Sequence, residues 1–165
     1  MEQSALSRYE ALKRKRDPFL RRARECAELT IPALMPPEGH SDATMLPEPY
    51  QGLGARAVVS LASRLMVAMY PPGKPSFKLD IPPEVRIQNG DMSVDKDIEQ
   101  GLILSEQLIQ AEIERKEWRP VTNLVLQYLI VTGNALEMMM PDNTMRVFRL
   151  DQFVVSRDMQ GLSLI

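Results

Sequence analysis

Apolar side chains recur at helical spacing through most of the first 132 residues and at alternating spacing after that. Residues 4–15 place Leu6, Tyr9 and Leu12 at i, i+3 and i+6, which predicts a helix. Asp17-Pro18 reads as an N-cap followed by proline at the first helical position, where a missing N–H costs nothing. A second helix is therefore expected from 18 to about 31, with Phe19, Ala23, Cys26 and Ala27 on its apolar side. Pro32, Pro36 and Pro37 stop it, because the residue before a proline is driven out of helical conformation. Residues 32–50, rich in Pro, Gly, Ser and Asp, predict an extended loop, long enough to be draped over a neighbour rather than left free.

Residues 51–70 carry the broadest apolar stripe: Leu53, Ala57, Val58, Leu61, Ala62, Leu65, Ala68 and Met69, with Arg56, Ser60, Ser63 and Arg64 opposite. Ordering about twenty residues costs roughly 20–40 kcal/mol of backbone entropy. Each large apolar side chain it buries returns only about 2 kcal/mol, so this helix must dock on others. Residues 76–81 alternate Phe77, Leu79 and Ile81 with Ser76, Lys78 and Asp80, the pattern of a half-buried strand. A long helix from about 94 to 117 is expected, capped by Asp91 or Ser93, with Ile98, Leu102, Leu108, Ile109 and Ile113 apolar. Its acids cluster early and Arg115 and Lys116 come late, which suits the helix dipole.

Arg119-Pro120 opens another helix, to 132, apolar nearly all round and so expected to be buried, with Gly133-Asn134 as its C-cap. Short strands are then expected at 135–140, 145–150 and 153–157, with turns at 141–144 and 158–161. The closing Leu162-Ser163-Leu164-Ile165 reads as a further strand, which suggests a truncation or a partner that completes the sheet. The fold class expected is α+β: a predominantly helical N-terminal part followed by a small antiparallel β segment.

Composition narrows the function. One cysteine, Cys26, excludes an intramolecular disulfide framework and reads as a small buried helical residue. One histidine and one cysteine exclude the usual clustered zinc sites. There is no signal-peptide pattern at the start, and no uncharged apolar stretch reaches the roughly 18 residues that span a bilayer. No metal, no cofactor and no membrane are expected. Gly52-Leu53-Gly54-Ala55-Arg56-Ala57 matches a dinucleotide-binding pattern, but Pro47-Glu48-Pro49-Tyr50 precedes it instead of the buried strand that pattern needs. Close packing at a helix entry explains it better. His40-Ser41-Asp42 holds triad residue types, yet neighbours in an extended loop do not converge as a triad does. There is no P-loop, and no pair of carboxylates takes on acid–base work, so no catalytic residue is assigned. Eleven methionines, Met138-Met139-Met140 among them, read as core filler.

The net charge of −2 hides an asymmetry: the first 30 residues hold eight bases against five acids, the remainder twelve against seventeen. Lys13, Arg14, Lys15, Arg16, Arg21, Arg22 and Arg24 put seven cations within twelve residues, a phosphate-binding footprint. The competing use of these cations is to pair with acids of the long helix, in the same or an adjacent subunit.

The run Arg21-Arg22-Ala23-Arg24-Glu25-Cys26-Ala27-Glu28-Leu29-Thr30-Ile31-Pro32 resembles the N-terminal region of portal (head-to-tail connector) proteins of short-tailed bacteriophages. Gln51-Gly52-Leu53-Gly54-Ala55-Arg56 with Leu61-Ala62-Ser63-Arg64-Leu65-Met66 is similar to that family's next helix. Gly133-Asn134-Ala135-Leu136 and Val147-Phe148-Arg149-Leu150 look like its following turn and strand. The resemblance implies the first part of a portal wing: a basic helical arm at 1–36, an extended Pro-rich loop at 37–50, a helical wing core with one short strand at 51–134, and β-strands at 135–165. It further implies a structural, non-enzymatic subunit of a twelve-membered ring at a capsid vertex. Partners would be further copies of itself, double-stranded phage DNA, and the capsid, scaffold, tail-adaptor and packaging-ATPase proteins. Localisation would be the virion, with assembly in the host cytoplasm. A monomeric basic nucleic-acid-binding protein is the alternative.

Overall fold

The computed structural model describes residues 4–41, 43–72, 75–80, 92–157 and 163–164. Four helices dominate: α1 (Ala5–Glu28), α2 (Leu53–Met69), α3 (Met92–Arg115) and α4 (Trp118–Thr132). A 3-10 turn, Pro32–Leu34, follows α1. Two small antiparallel pairs complete the described chain: β1 (Leu136–Met139) with β2 (Met145–Phe148), and β3 (Ser156–Arg157) with β4 (Ser163–Leu164). This is the α+β order expected, helical first and β last.

The element that is apolar nearly all round, α4, becomes the hub. It packs against α1, α2, α3, β2 and the 3-10 turn. Thr122, Leu126, Tyr128, Val131 and Thr132 are buried, while Leu124 and Leu129 keep an outward edge. The core joins Leu20, Ala23 and Ala27 of α1, Leu34 and Met35 after it, Val58 of α2, Tyr128 and Val131 of α4, and Leu150. The Pro-rich loop thus anchors its first residues in the chain's own core. Gly133 takes the left-handed conformation expected of a C-cap, with φ of 73°. Its N–H closes on the Leu129 carbonyl at 3.0 Å.

Several expectations are corrected. α1 does not break at Asp17-Pro18; it runs through Pro18 as one helix of 24 residues. Residues 76–80 form no strand, although Phe77 and Leu79 are more covered than Lys78 and Asp80 as the alternation requires. The Leu79 N–H donates instead to the Glu106 carboxylate of α3 at 2.5 Å. Ile81, the Asp91 cap and the 158–161 turn lie outside the described residues.

Cys26 is exposed, because the buried row of α1 passes through Ala23 and Ala27 and leaves residue 26 to one side. Phe19 is 52% exposed. The α2 stripe packs over only half its width: Val58 and Ala62 are buried, Leu53, Leu61 and Met69 are not. Met35 is a core methionine, but Met45, Met69, Met138 and Met139 are exposed.

Candidate functional site

The seven cations of α1 sort by helical geometry. Leu12, Arg16, Leu20, Ala23 and Ala27 follow one another at steps of three and four and face inward. Arg16 therefore points into the fold. Its Nη1 donates to three main-chain carbonyls: Leu150 at 3.3 Å, Asp151 at 2.8 Å and Phe153 at 2.9 Å. One guanidinium so satisfies the carbonyls of the turn that follows β2 and ties the two ends of the fold together. Arg24, one step from the buried row, reaches Glu38 of the loop at 3.1 Å. That pair is half open to solvent and contributes at most about 1 kcal/mol.

Lys13, Arg14, Lys15, Arg21 and Arg22 are exposed. Arg14 and Arg21, seven residues apart, lie on the side opposite the buried row, two helical turns or about 10 Å from one another. Among the described residues no ion pair joins any of these cations to α3. The sequence thus located a cationic patch but could not separate its five outward members from Arg16 and Arg24, which serve the fold.

Beside them, α1 and residues 150–156 enclose a cleft of about 240 Å³ lined by Leu12, Phe19, Leu150, Phe153 and Val155, with Lys15 at its edge.

A second cluster went unnoticed in the sequence. Arg119 donates to Glu114 of α3 at 2.8 Å and to the Tyr70 carbonyl at the end of α2 at 3.0 Å. Its guanidinium lies 5.5 Å from the centre of the Tyr70 ring, a cation–π distance. Next to it, Trp118 Nε1 donates to the Asn143 carbonyl at 3.0 Å and Lys116 Nζ to the Asp142 carbonyl at 2.7 Å, holding the β1–β2 turn. These residues fix the junction of three helices and a hairpin. No spacing rule would have found them, because each bond joins positions at least 25 residues apart or crosses a helix break.

Gly54 sits where a Cβ would come within 2.7 Å of the Leu29 carbonyl, so the glycine allows α2 to enter against the end of α1. The Ser41 hydroxyl engages Thr44 at 3.0 Å rather than His40, and Asp42 lies outside the described residues. Two buried acceptors, Asn123 Oδ1 and Glu137 Oε1, have no hydrogen-bond partner among the described residues, and burial raises the Glu137 carboxyl above the ordinary range. Among the described residues no three His, Cys, Asp or Glu side chains gather to hold a metal ion. No described helix is long and apolar enough to cross a membrane.

Relatives add the scale that the geometry lacks. The chain is 36% identical to the portal protein of Enterobacteria phage T3 and 35% identical to that of Escherichia phage T7, in each case over 97% of this chain. The portal protein of Enterobacteria phage SP6 is 29% identical over 93% of it. The chain spans about 31% of the length of the T3 and T7 proteins. Residues 2–163 match the family described as bacteriophage head to tail connecting protein. With that match running through both the helical part and the β segment, the chain belongs to the bacteriophage head-to-tail connecting protein family.

Proposed function

We propose that this chain is the N-terminal, wing portion of a portal subunit, twelve copies of which close head to tail into a ring at one vertex of the capsid. The ring nucleates head assembly, conducts double-stranded DNA during packaging and ejection, and carries the tail. Its role is structural, not enzymatic, and needs no cofactor; a separate packaging ATPase drives the DNA. Capsid, scaffold and tail-adaptor proteins are the other partners. The particle sits at the portal vertex of the virion after assembly in the host cytoplasm. Residues 1–36 form the basic arm, 37–50 the connecting loop, 51–134 the wing core and 135–165 its β-strands.

The observation that carries this reading is the family match along residues 2–163. The outward cations of α1, Lys13, Arg14, Lys15, Arg21 and Arg22, are the groups that contact DNA phosphates, whereas Arg16 and Arg24 are engaged within the chain. The deciding experiment is the mass and shape of the full-length product by light scattering and negative-stain imaging. Rings of about a dozen subunits with a central hole are expected. A monodisperse monomer that binds DNA at low salt overturns the reading in favour of a simple nucleic-acid-binding protein.

A further inference from the structure

Gly101 lies in the middle of α3, where glycine is unfavourable because it gives up the most backbone freedom on ordering. No described atom comes within 4 Å of a Cβ built on it. Nothing in the described chain therefore requires its small size. One and two turns further on, Leu104 and Leu108 are 57% and 63% exposed. A bare glycine followed by exposed leucines at helical spacing forms a seat into which the side chains of a second helix fit closely.

The counterpart is on α2. Its buried side is the row of Val58 and Ala62. Leu53, Ala57 and Leu61, at i, i+4 and i+8, stay exposed, Leu53 by 61% and Leu61 by 46%. The charges around the two faces are complementary. Arg56 and Arg64 are the charged residues of α2, both exposed, and that helix contains no acid. On α3 the acid beside the face is Asp97, exposed and one turn before Gly101; Glu106, Glu112 and Glu114 are already engaged within the chain. Two different, complementary faces make a head-to-tail contact that propagates from copy to copy; a single face paired with itself would stop at a dimer.

We propose that the Leu53, Ala57 and Leu61 face of α2 in one copy packs on the Gly101, Leu104 and Leu108 face of α3 in the next copy. The occupant of each face is a second copy of this chain, and the contact rests on the ring reading given above. Arg64, one turn beyond Leu61, meets Asp97, one turn before Gly101, where opposite charge selects orientation more than it adds affinity.

The test uses the full-length product and three variants, Leu61→Glu, Leu108→Glu and Gly101→Leu, followed by light scattering and native mass spectrometry, with circular dichroism to check the fold. Wild type assembles into closed oligomers, and each variant alone stays a folded monomer. Gly101→Leu is the sharpest case: leucine favours the helix, so the variant melts above wild type yet loses assembly. An equimolar mixture of Leu61→Glu with Leu108→Glu gives dimers, because one sound α2 face and one sound α3 face remain between the two copies. Variants that assemble like wild type overturn this surface and leave the ring reading standing. A mixture without dimers overturns the head-to-tail pairing. A wild-type full-length product that is itself a monomer overturns the ring reading and this surface with it.

Discussion

Arg16 shows how a residue's charge and its use can part company. In the sequence it is one of seven cations; in the fold it holds three carbonyls beyond β2. Hydrogen bonds from a charged donor contribute about 1.5–3 kcal/mol each, though not additively. Arg16→Ala is therefore expected to destabilise the chain by about 3 kcal/mol in urea unfolding, with Arg16→Lys recovering part of it, since one nitrogen, Nη1, makes all three bonds and an ammonium carries three donors of its own. A loss near zero would mean that the turn holds itself.

Glu137 of β1 makes the opposite kind of contribution. Its Oε1 is buried without a partner among the described residues, and burial pushes its carboxyl up. The folded state thus binds this proton more tightly than the unfolded chain does. Stability from this group falls as pH rises from the ordinary glutamate value of about 4.3 through the raised folded value. Glu137→Gln should raise stability at pH 7, by an amount that solvent screening keeps small, and change it little below pH 4, which melting curves at the two pH values will show. Asp142 has the reverse sign: hydrogen bonds from Thr144 lower its pKa, so its contribution is lost on acidification.

At the scale of elements, tertiary contacts overrode two local signals. Pro18 removes one N–H, which leaves the Arg14 carbonyl without its helical donor. Both residues are exposed, so water can take that bond, while Leu20, Ala23 and Ala27 anchor the second half of α1 to the core. The helix continues because packing outweighs one lost bond. The 76–80 segment kept the coverage pattern of a strand but found the α3 surface, not a strand edge, beside it. A third junction depends on a missing side chain. The Cβ of Gly54→Ala would lie 2.7 Å from the Leu29 carbonyl, and backbone cannot retreat as a flexible side chain can. That substitution is expected to cost about 2 kcal/mol. Gly52→Ala, with nothing within 4 Å of its Cβ, should stay within about 0.5 kcal/mol of wild type. Denaturant midpoints of the two variants make the comparison directly.

For the molecule as a whole, charge and assembly dominate. If the five outward cations of α1 each neutralise a phosphate, the logarithm of DNA affinity should fall with log salt at a slope of about −4.5. Neutralising three of them, as Arg14→Gln, Arg21→Gln and Arg22→Gln together, should flatten that slope to about −1.8 without moving the melting temperature. An unchanged slope would remove α1 from the DNA contact. Local sequence is enough for the helical order, the C-cap at Gly133, the hairpin after it, the cationic stretch and the family resemblance. All of these depend on neighbours in the chain: apolar period, turn chemistry, and residues in order. Tertiary structure alone decided that Arg16 faces inward, that Cys26 and half of the α2 stripe face outward, that Pro18 lies inside a helix, and that Arg119 joins α2 to α3. Each of these depends on which element lies alongside, and a one-dimensional period reports that a face is apolar without reporting what covers it.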